Sequence, residues 1–133
     1  MFEKDYLMLL IQTLMDAINR IINNIDKGDI EEAKKQLTDS YKLLDNNESY
    51  FFEKNYEEIV AFFKLKEGNH LKRVEILAEL LFLDASIETD KIIKKNKIAK
   101  SEQLFKHYLQ FSKEYSFEIK NKLALIETEL EKF

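Results

Sequence analysis

The stretch ILAELLFLDA at residues 76–85 decides the fold class, because its apolar residues cover nearly every side of a helix. A helix of this kind is expected at the centre of a domain, where neighbours touch it on several faces. The same pattern predicts a helix over residues 70–94. Apolar residues surround Asp84 in this stretch, so its carboxylate is expected to need a partner such as a lysine or a tyrosine hydroxyl.

Amphipathic patterns on both sides of this stretch predict further helices. Apolar residues recur there at steps of three and four, which is the helical period. The predicted helices cover residues 5–27, 30–45, 56–67, 98–112 and 117–132. Residues 49–54 lack a clean period and are predicted to form a short helical or irregular piece packed on the core. A single long helix over residues 98–132 is an open alternative to the last two helices.

Composition agrees with helices and excludes several chemistries. The 133 residues include no proline, no cysteine and only two glycines, Gly28 and Gly68. Helix interiors exclude proline, whereas sheets joined by tight turns usually need both proline and glycine. The absence of cysteine excludes disulfides and a cysteine nucleophile, and two isolated glycines cannot form a glycine-rich phosphate loop. We expect one all-α domain over residues 1–133, with five or six antiparallel helices stacked as helical hairpins, or alternatively a closed up-and-down bundle.

The turn at Gly28 and the helix that follows it resemble the second helix of a tetratricopeptide repeat. Gly28 favours a helix end, and Asp29 offers a side-chain cap to the next helix. The residues at the offsets that this repeat uses for close packing are Ala33, Leu37 and Ser40, with a weaker match at Ser101, Phe105 and Tyr108. The resemblance implies tetratricopeptide-like stacking, in which helices approach closely at the small residues.

Both ends of the chain are similar to a family of short uncharacterised bacterial proteins with tetratricopeptide-like helices. The similar stretches are MFEKDYLM at residues 1–8 and YSFE at residues 115–118. The resemblance implies a bacterial origin and a helix break near Ser116. It brings no activity and no functional residues.

The two histidines, His70 and His107, give little indication of a metal site. Glu67 and His70 have the Glu-x-x-His spacing of di-iron ligands, but Gly68 between them predicts a turn. His107 has no glutamate at the same offset. Both side chains are therefore expected on solvated helix shoulders, and we expect neither a metal nor a cofactor.

A cluster of lysines is the main basic feature of a chain whose net charge is −4. Its members are Lys91, Lys94, Lys95, Lys97 and Lys100. The predicted helix over residues 70–94 places the cluster at a helix C-terminus, where cations interact favourably with the helix dipole. Because the cluster lacks arginine and interleaved aromatic residues, a nucleic acid is not the expected partner.

Protein binding without catalysis is the predicted function, and two surfaces are candidates for it. The apolar stripe of the first helix is widened by Met8 and Met15 beyond the width that one neighbouring helix needs. Aromatic residues crowd into residues 50–63, and if uncovered they form an exposed apolar patch of the kind that often binds a partner. The candidate residues of this segment are Tyr50, Phe51, Phe52 and Tyr56. The expected partner is an unidentified protein or peptide, with a homodimer as a further possibility.

A different class of function stays open beside protein binding. A small-ligand-binding or enzymatic domain would use a cleft near Asp84 and His107. The sequence shows no secretory signal pattern and no long uncharged apolar window. We therefore expect a cytoplasmic protein with no membrane span.

Overall fold

The computed structural model describes residues 3–114 and 116–133, within which the chain forms seven α-helices. The helices are α1 (Glu3–Lys27), α2 (Ile30–Leu43), α3 (Glu48–Glu53), α4 (Tyr56–Lys64), α5 (His70–Ile87), α6 (Lys91–Phe111) and α7 (Phe117–Glu131). No strand occurs among these residues, so the predicted all-α class is confirmed. Met1, Phe2 and Tyr115, which belong to the two stretches of family resemblance, lie outside the described residues.

Side-chain caps begin the helices near the predicted positions. Gly28 ends α1 with φ at +82°, a left-handed conformation that costs other residues more. Asp29 then accepts a hydrogen bond from the backbone N–H of Glu32 at 3.3 Å. Ser116 caps α7 in the same way, because its Oγ accepts a bond from the backbone N–H of Ile119 at 3.2 Å. Residues 98–132 are therefore divided between two helices.

The boundary between α5 and α6 differs from the prediction of one helix over residues 70–94. The chain leaves the helix after Ile87, and Asp90 caps α6 by accepting bonds from Ile92 N–H at 2.9 Å and Ile93 N–H at 3.0 Å. Ile92 and Ile93, which follow this cap in the first turn of α6, are both exposed. The lysine cluster consequently lies on the N-terminal half of α6 and not at a helix C-terminus.

The helices pack as consecutive hairpins around α5. The α1 helix pairs with α2, α5 pairs with α6, and α6 also packs against α7. In addition, α5 contacts α1, α2 and α4. The stretch at residues 76–85 therefore does form the central helix, as its apolar composition predicts.

Small residues are buried in two of the helix–helix contacts. The Ser101 hydroxyl donates a hydrogen bond to the backbone carbonyl of Ala78 at 2.7 Å, directly across the α5–α6 contact. Ala33 is likewise completely buried within the α1–α2 pair. All residues at the two sets of repeat-like offsets are buried: Ala33, Leu37, Ser40, Ser101, Phe105 and Tyr108. Close helix packing at these positions is what the resemblance to a tetratricopeptide repeat implies.

Candidate functional site

An apolar row runs along the solvent-facing side of α1. Its members are Met8, Met15 and Ile22, whose side chains are 61%, 44% and 39% exposed. A seven-residue spacing is close to two helical turns, so successive members drift by only about 20° around the axis. The row is about 21 Å long, given a rise of about 1.5 Å per residue. We call these three residues the α1 row.

A second apolar row lies next to the α1 row and turns toward the core. Ile11, Ile18 and Ile25 each follow a member of the α1 row by three positions. Ile18 is buried, and the other two are partly buried against the core. Alternating steps of three and four form the heptad pattern by which one helix packs along another. In α1, the row of Ile11, Ile18 and Ile25 packs inside the domain, whereas the α1 row faces solvent.

Charged residues are scarce on α1 around this seam. Residues 6–25 contain only Asp16 and Arg20, although charged residues make up 35% of the chain. The other exposed polar positions hold uncharged side chains: Gln12, Thr13, Asn19 and Asn23. Protein interfaces are depleted of charge at their centres and enriched in methionine, whereas unpartnered helix faces usually carry charges. The composition of this face is therefore typical of an interface.

The predicted aromatic surface is mostly covered. Phe51 is 0% exposed, so its assignment to a binding surface is wrong. The physical reason is that residues 48–53 form α3, which directs Phe51 against Tyr41 and Phe63 with ring centroids 6.0 and 5.9 Å away. The other three candidates of this segment are partly buried against the core: Tyr50, Phe52 and Tyr56. A binding role for these three stays a prediction.

Asp84 has both kinds of partner that its position in an apolar helix predicts. The Tyr41 hydroxyl donates to Asp84 Oδ2 at 2.7 Å, and Lys97 Nζ donates to Asp84 Oδ1 at 2.9 Å. The same Lys97 Nζ donates to Glu88 Oε1 at 2.9 Å. This polar cluster connects α2, α5 and α6 where they meet.

Burial and hydrogen bonding shift the pKa values of Tyr41, Lys97 and Glu88 in the polar cluster. Burial, followed by the charge of Asp84, raises the pKa of Tyr41 well above its usual value. Burial alone would lower the pKa of Lys97, but its bonds to Asp84 and Glu88 outweigh burial and raise that pKa. The bond from Lys97 lowers the pKa of Glu88. The lysine stays cationic and the tyrosine stays neutral at physiological pH, which preserves the hydrogen bonds that both donate to Asp84.

The lysine cluster does not form one basic patch. Lys97 is buried in the polar cluster, and its Nζ also lies 4.6 Å from the centre of the Phe52 ring. Lys100 Nζ donates to the backbone carbonyls of Phe51 and Phe52, each at 2.7 Å. It thereby satisfies carbonyls near the C-terminal end of α3, which lack partners within the helix. Two of the five lysines are therefore used in packing, which the sequence pattern does not reveal.

The two histidines meet, although they lie far apart in the sequence. His70 Nε2 and His107 Nε2 are 3.2 Å apart, at the first turn of α5 and the last turn of α6. Burial, together with the nearby charge of Lys64, lowers the pKa of both imidazoles, and His70 further lowers the pKa of His107. Both rings are thus favoured in the neutral form, in which one Nε2–H donates to the other Nε2.

Asp84 and His107 do not share a cleft. Lys97, which holds Asp84, lies about 15 Å from His107 along the axis of α6, given the helical rise per residue. His107 instead borders an open cavity of about 570 Å³ between α4 and α6, together with Tyr56 and Glu57. The cleft suggested for a ligand-binding or enzymatic function is therefore not formed between these two residues.

The fold and the α1 row describe an all-α helical-hairpin domain with an open apolar helix face. Comparison with protein-family models, with curated proteins and with solved structures finds no match for the chain. The resemblance to a bacterial family with tetratricopeptide-like helices consequently stays a prediction. Across residues 3–114 and 116–133, no helix combines the length and the apolar character needed to cross a lipid bilayer.

Proposed function

We propose that this protein is a non-enzymatic interaction domain that binds an amphipathic helix of another protein along α1. The observation that carries the proposal is the α1 row of Met8, Met15 and Ile22. These apolar side chains face solvent, and few charged residues surround them. The polar cluster supports a non-catalytic role, because its charged groups are paired with one another inside the domain.

The spacing of the α1 row favours a helix as the bound element. Side chains that repeat with heptad spacing fit between the side chains of a second helix that crosses at about 20°. One way in which an extended peptide is bound is by adding a strand to the edge of a sheet. The described residues offer no sheet edge for such a strand.

The chemistry of α1 also restricts the partner. Because few charges flank the α1 row, recognition depends on apolar shape, and we expect leucine or isoleucine at the contacting positions of the partner helix. Burying three such anchors stabilises a complex by roughly 5–9 kcal/mol at most. The cost of association, about 4–15 kcal/mol, offsets much of this gain. The complex is therefore expected to be reversible and weak.

The experiment compares two lysine substitutions on α1 with a matched control. Met15→Lys and Ile22→Lys place a charge in the row, whereas Ile92→Lys places one on an exposed isoleucine of α6. Each variant and the unmodified protein are used to capture partners from the source cells, with quantification by mass spectrometry. The helical segment of a captured protein is then synthesised, and its binding is measured by calorimetry.

We expect the synthetic helix to bind the unmodified protein and the Ile92→Lys variant with equal affinity. Either α1 variant should bind it at least about tenfold more weakly, a loss of about 1.4 kcal/mol in binding free energy. Equal binding to all variants would contradict the proposal. Self-association of the pure protein that Met15→Lys abolishes, measured by light scattering, would also contradict it, because a second copy would then occupy α1. Thermal unfolding serves as the control for folding of each variant.

A further inference from the structure

We propose that His70 and His107 form a two-histidine binding site for a divalent first-row transition metal ion such as Zn²⁺ or Cu²⁺. The site lies where the first turn of α5 meets the last turn of α6. It is independent of the α1 row and of the function proposed for it.

The geometry of the histidine pair matches metal chelation. Zn–N bonds are about 2.0–2.1 Å long, so two nitrogens on one tetrahedral ion are about 3.3 Å apart. The two Nε2 atoms are 3.2 Å apart, and their rings are inclined at 64° with centroids 5.5 Å apart. The rings therefore meet edge to edge through these two nitrogen atoms and do not stack face to face.

Packed helices hold both ligands in place. Asn69 caps α5 directly before His70, with its Oδ1 accepting from the backbone N–H of Leu71 at 2.9 Å. The ring centroids of His107 and Phe111 are 4.6 Å apart, and Phe111 lies one turn further along α6. Because α5 and α6 pack against each other, the two imidazoles are positioned before an ion arrives, which reduces the entropic cost of binding.

Solvent can reach the histidine pair, which leaves room for further ligands. Both side chains are partly exposed, and His107 borders the cavity that also contains Glu57 and Gln103. No cluster of three or more histidine, aspartate or glutamate side chains suited to a metal occurs in the described part of the chain. Water or an external ligand would therefore complete the coordination. Imidazole ligands suit zinc and copper, whereas magnesium and calcium require oxygen ligands.

The charges near the histidine pair both favour and oppose metal binding. Burial lowers the pKa of both imidazoles and thereby favours the neutral form that a metal ion needs. Lys64 contributes to this effect but also repels a dication, while Lys106 and Glu57 border the same cavity with opposite charges. Substituting Lys64→Gln is therefore expected to strengthen metal binding at a pH where both rings are already neutral.

The test uses the full chain, prepared without a polyhistidine tag and freed of metal with EDTA. Zn²⁺ and, separately, Cu²⁺ are titrated into the protein by calorimetry. We expect one ion per chain and at least about a tenfold loss of affinity in His70→Gln and in His107→Gln, since even indirect metal partners contribute about 10–100-fold. Gln110→Ala, which changes a residue of the same cavity, is the control and should bind normally.

Nitrogen NMR of the histidine side chains provides a readout that does not depend on stability. Zn²⁺ should shift the Nε2 resonances of His70 and His107 together at one equivalent of metal. The proposal is overturned if one equivalent leaves these resonances unchanged, or if either single histidine variant retains the affinity of the unmodified protein. Binding that survives in both variants would place the ion elsewhere on the chain.

Discussion

Gly28 and Gly68 adopt nearly the same backbone conformation but have different surroundings. Their φ angles are +82° and +84°, and nothing lies within 4 Å of the position that a Cβ would take at Gly28. A Cβ at Gly68 would lie 2.3 Å from Leu7 Cδ2, so Leu7 would have to move. Gly28→Ala should therefore lower the free energy of unfolding by about 1–2 kcal/mol from backbone strain alone, and Gly68→Ala should lower it further.

Leu7→Ala removes the side chain that would meet the new Cβ at position 68. In that background, Gly68→Ala should cost no more than Gly28→Ala, as measured by urea unfolding. An unchanged difference between the two glycine variants would mean that Leu7 is not the obstacle.

Lys97 is the cation that balances two carboxylates in the polar cluster. Lys97→Met leaves Asp84 and Glu88 close together with no positive charge between them. Removing one partner of a buried ion pair typically costs about 3–5 kcal/mol, and we expect a loss of that order in chemical denaturation. Lys95→Met, at an exposed position of the same helix, should change stability by less than about 0.5 kcal/mol. Similar losses in both variants would argue against a structural role for the cluster.

At the scale of single elements, the contact between α5 and α6 should make stability depend on pH. Both His70 and His107 have a lower pKa in the folded chain than the ordinary value of 6.5. Protonation therefore favours the unfolded chain, so their contribution is complete above pH 6.5 and is lost as the pH falls through the folded pKa values.

The measurement compares the unmodified protein with the double variant His70→Gln and His107→Gln in metal-free buffer. The free energy of unfolding of the unmodified protein should fall more steeply between pH 7.5 and pH 5 than that of the variant. Parallel pH profiles would show that the histidine pair makes no pH-dependent contribution.

Local patterns predict most elements of this fold, because apolar period and capping residues act within a few positions. Gly28 and Asp29 illustrate this, since a left-handed turn and a cap follow directly from their chemistry. The break before Asp90 was missed because apolar residues continue on both sides of it. The carboxylate of Asp90 caps α6 and sets that boundary, although the apolar residues continue past it.

At the scale of the whole molecule, α5 lies in one continuous core with most other helices. Leu77 is completely buried in this core, whereas Leu125 on α7 is exposed. Leu77→Ala should cost about 2–5 kcal/mol because it leaves a cavity, and Leu125→Ala should cost much less. Far-ultraviolet and near-ultraviolet circular dichroism should report the same midpoint for each variant. Separate midpoints would indicate that the core unfolds in parts.

The candidate sites depend on this tertiary arrangement and were only partly predictable. The sequence predicts that Asp84 needs a lysine or tyrosine, but only the packing of α2 and α6 on α5 identifies Tyr41 and Lys97. The meeting of His70 and His107 likewise depends on how α5 and α6 pair. Met8 and Met15 could be recognised from the sequence alone. The apolar residues of the first helix cover more of its surface than one neighbouring helix needs, and both methionines are exposed.

The hydrogen bonds from Lys100 to Phe51 and Phe52 make α3 dependent on a distant part of the chain. A six-residue helix has little stability of its own, so the ammonium group of Lys100 on α6 adds to the packing of Phe51 in holding it on the domain. Lys100→Met should therefore accelerate amide hydrogen exchange in residues 48–54 while exchange in α5 keeps its rate. Uniform acceleration in both segments would contradict this. We therefore expect α3 to open locally while the remaining helices stay assembled.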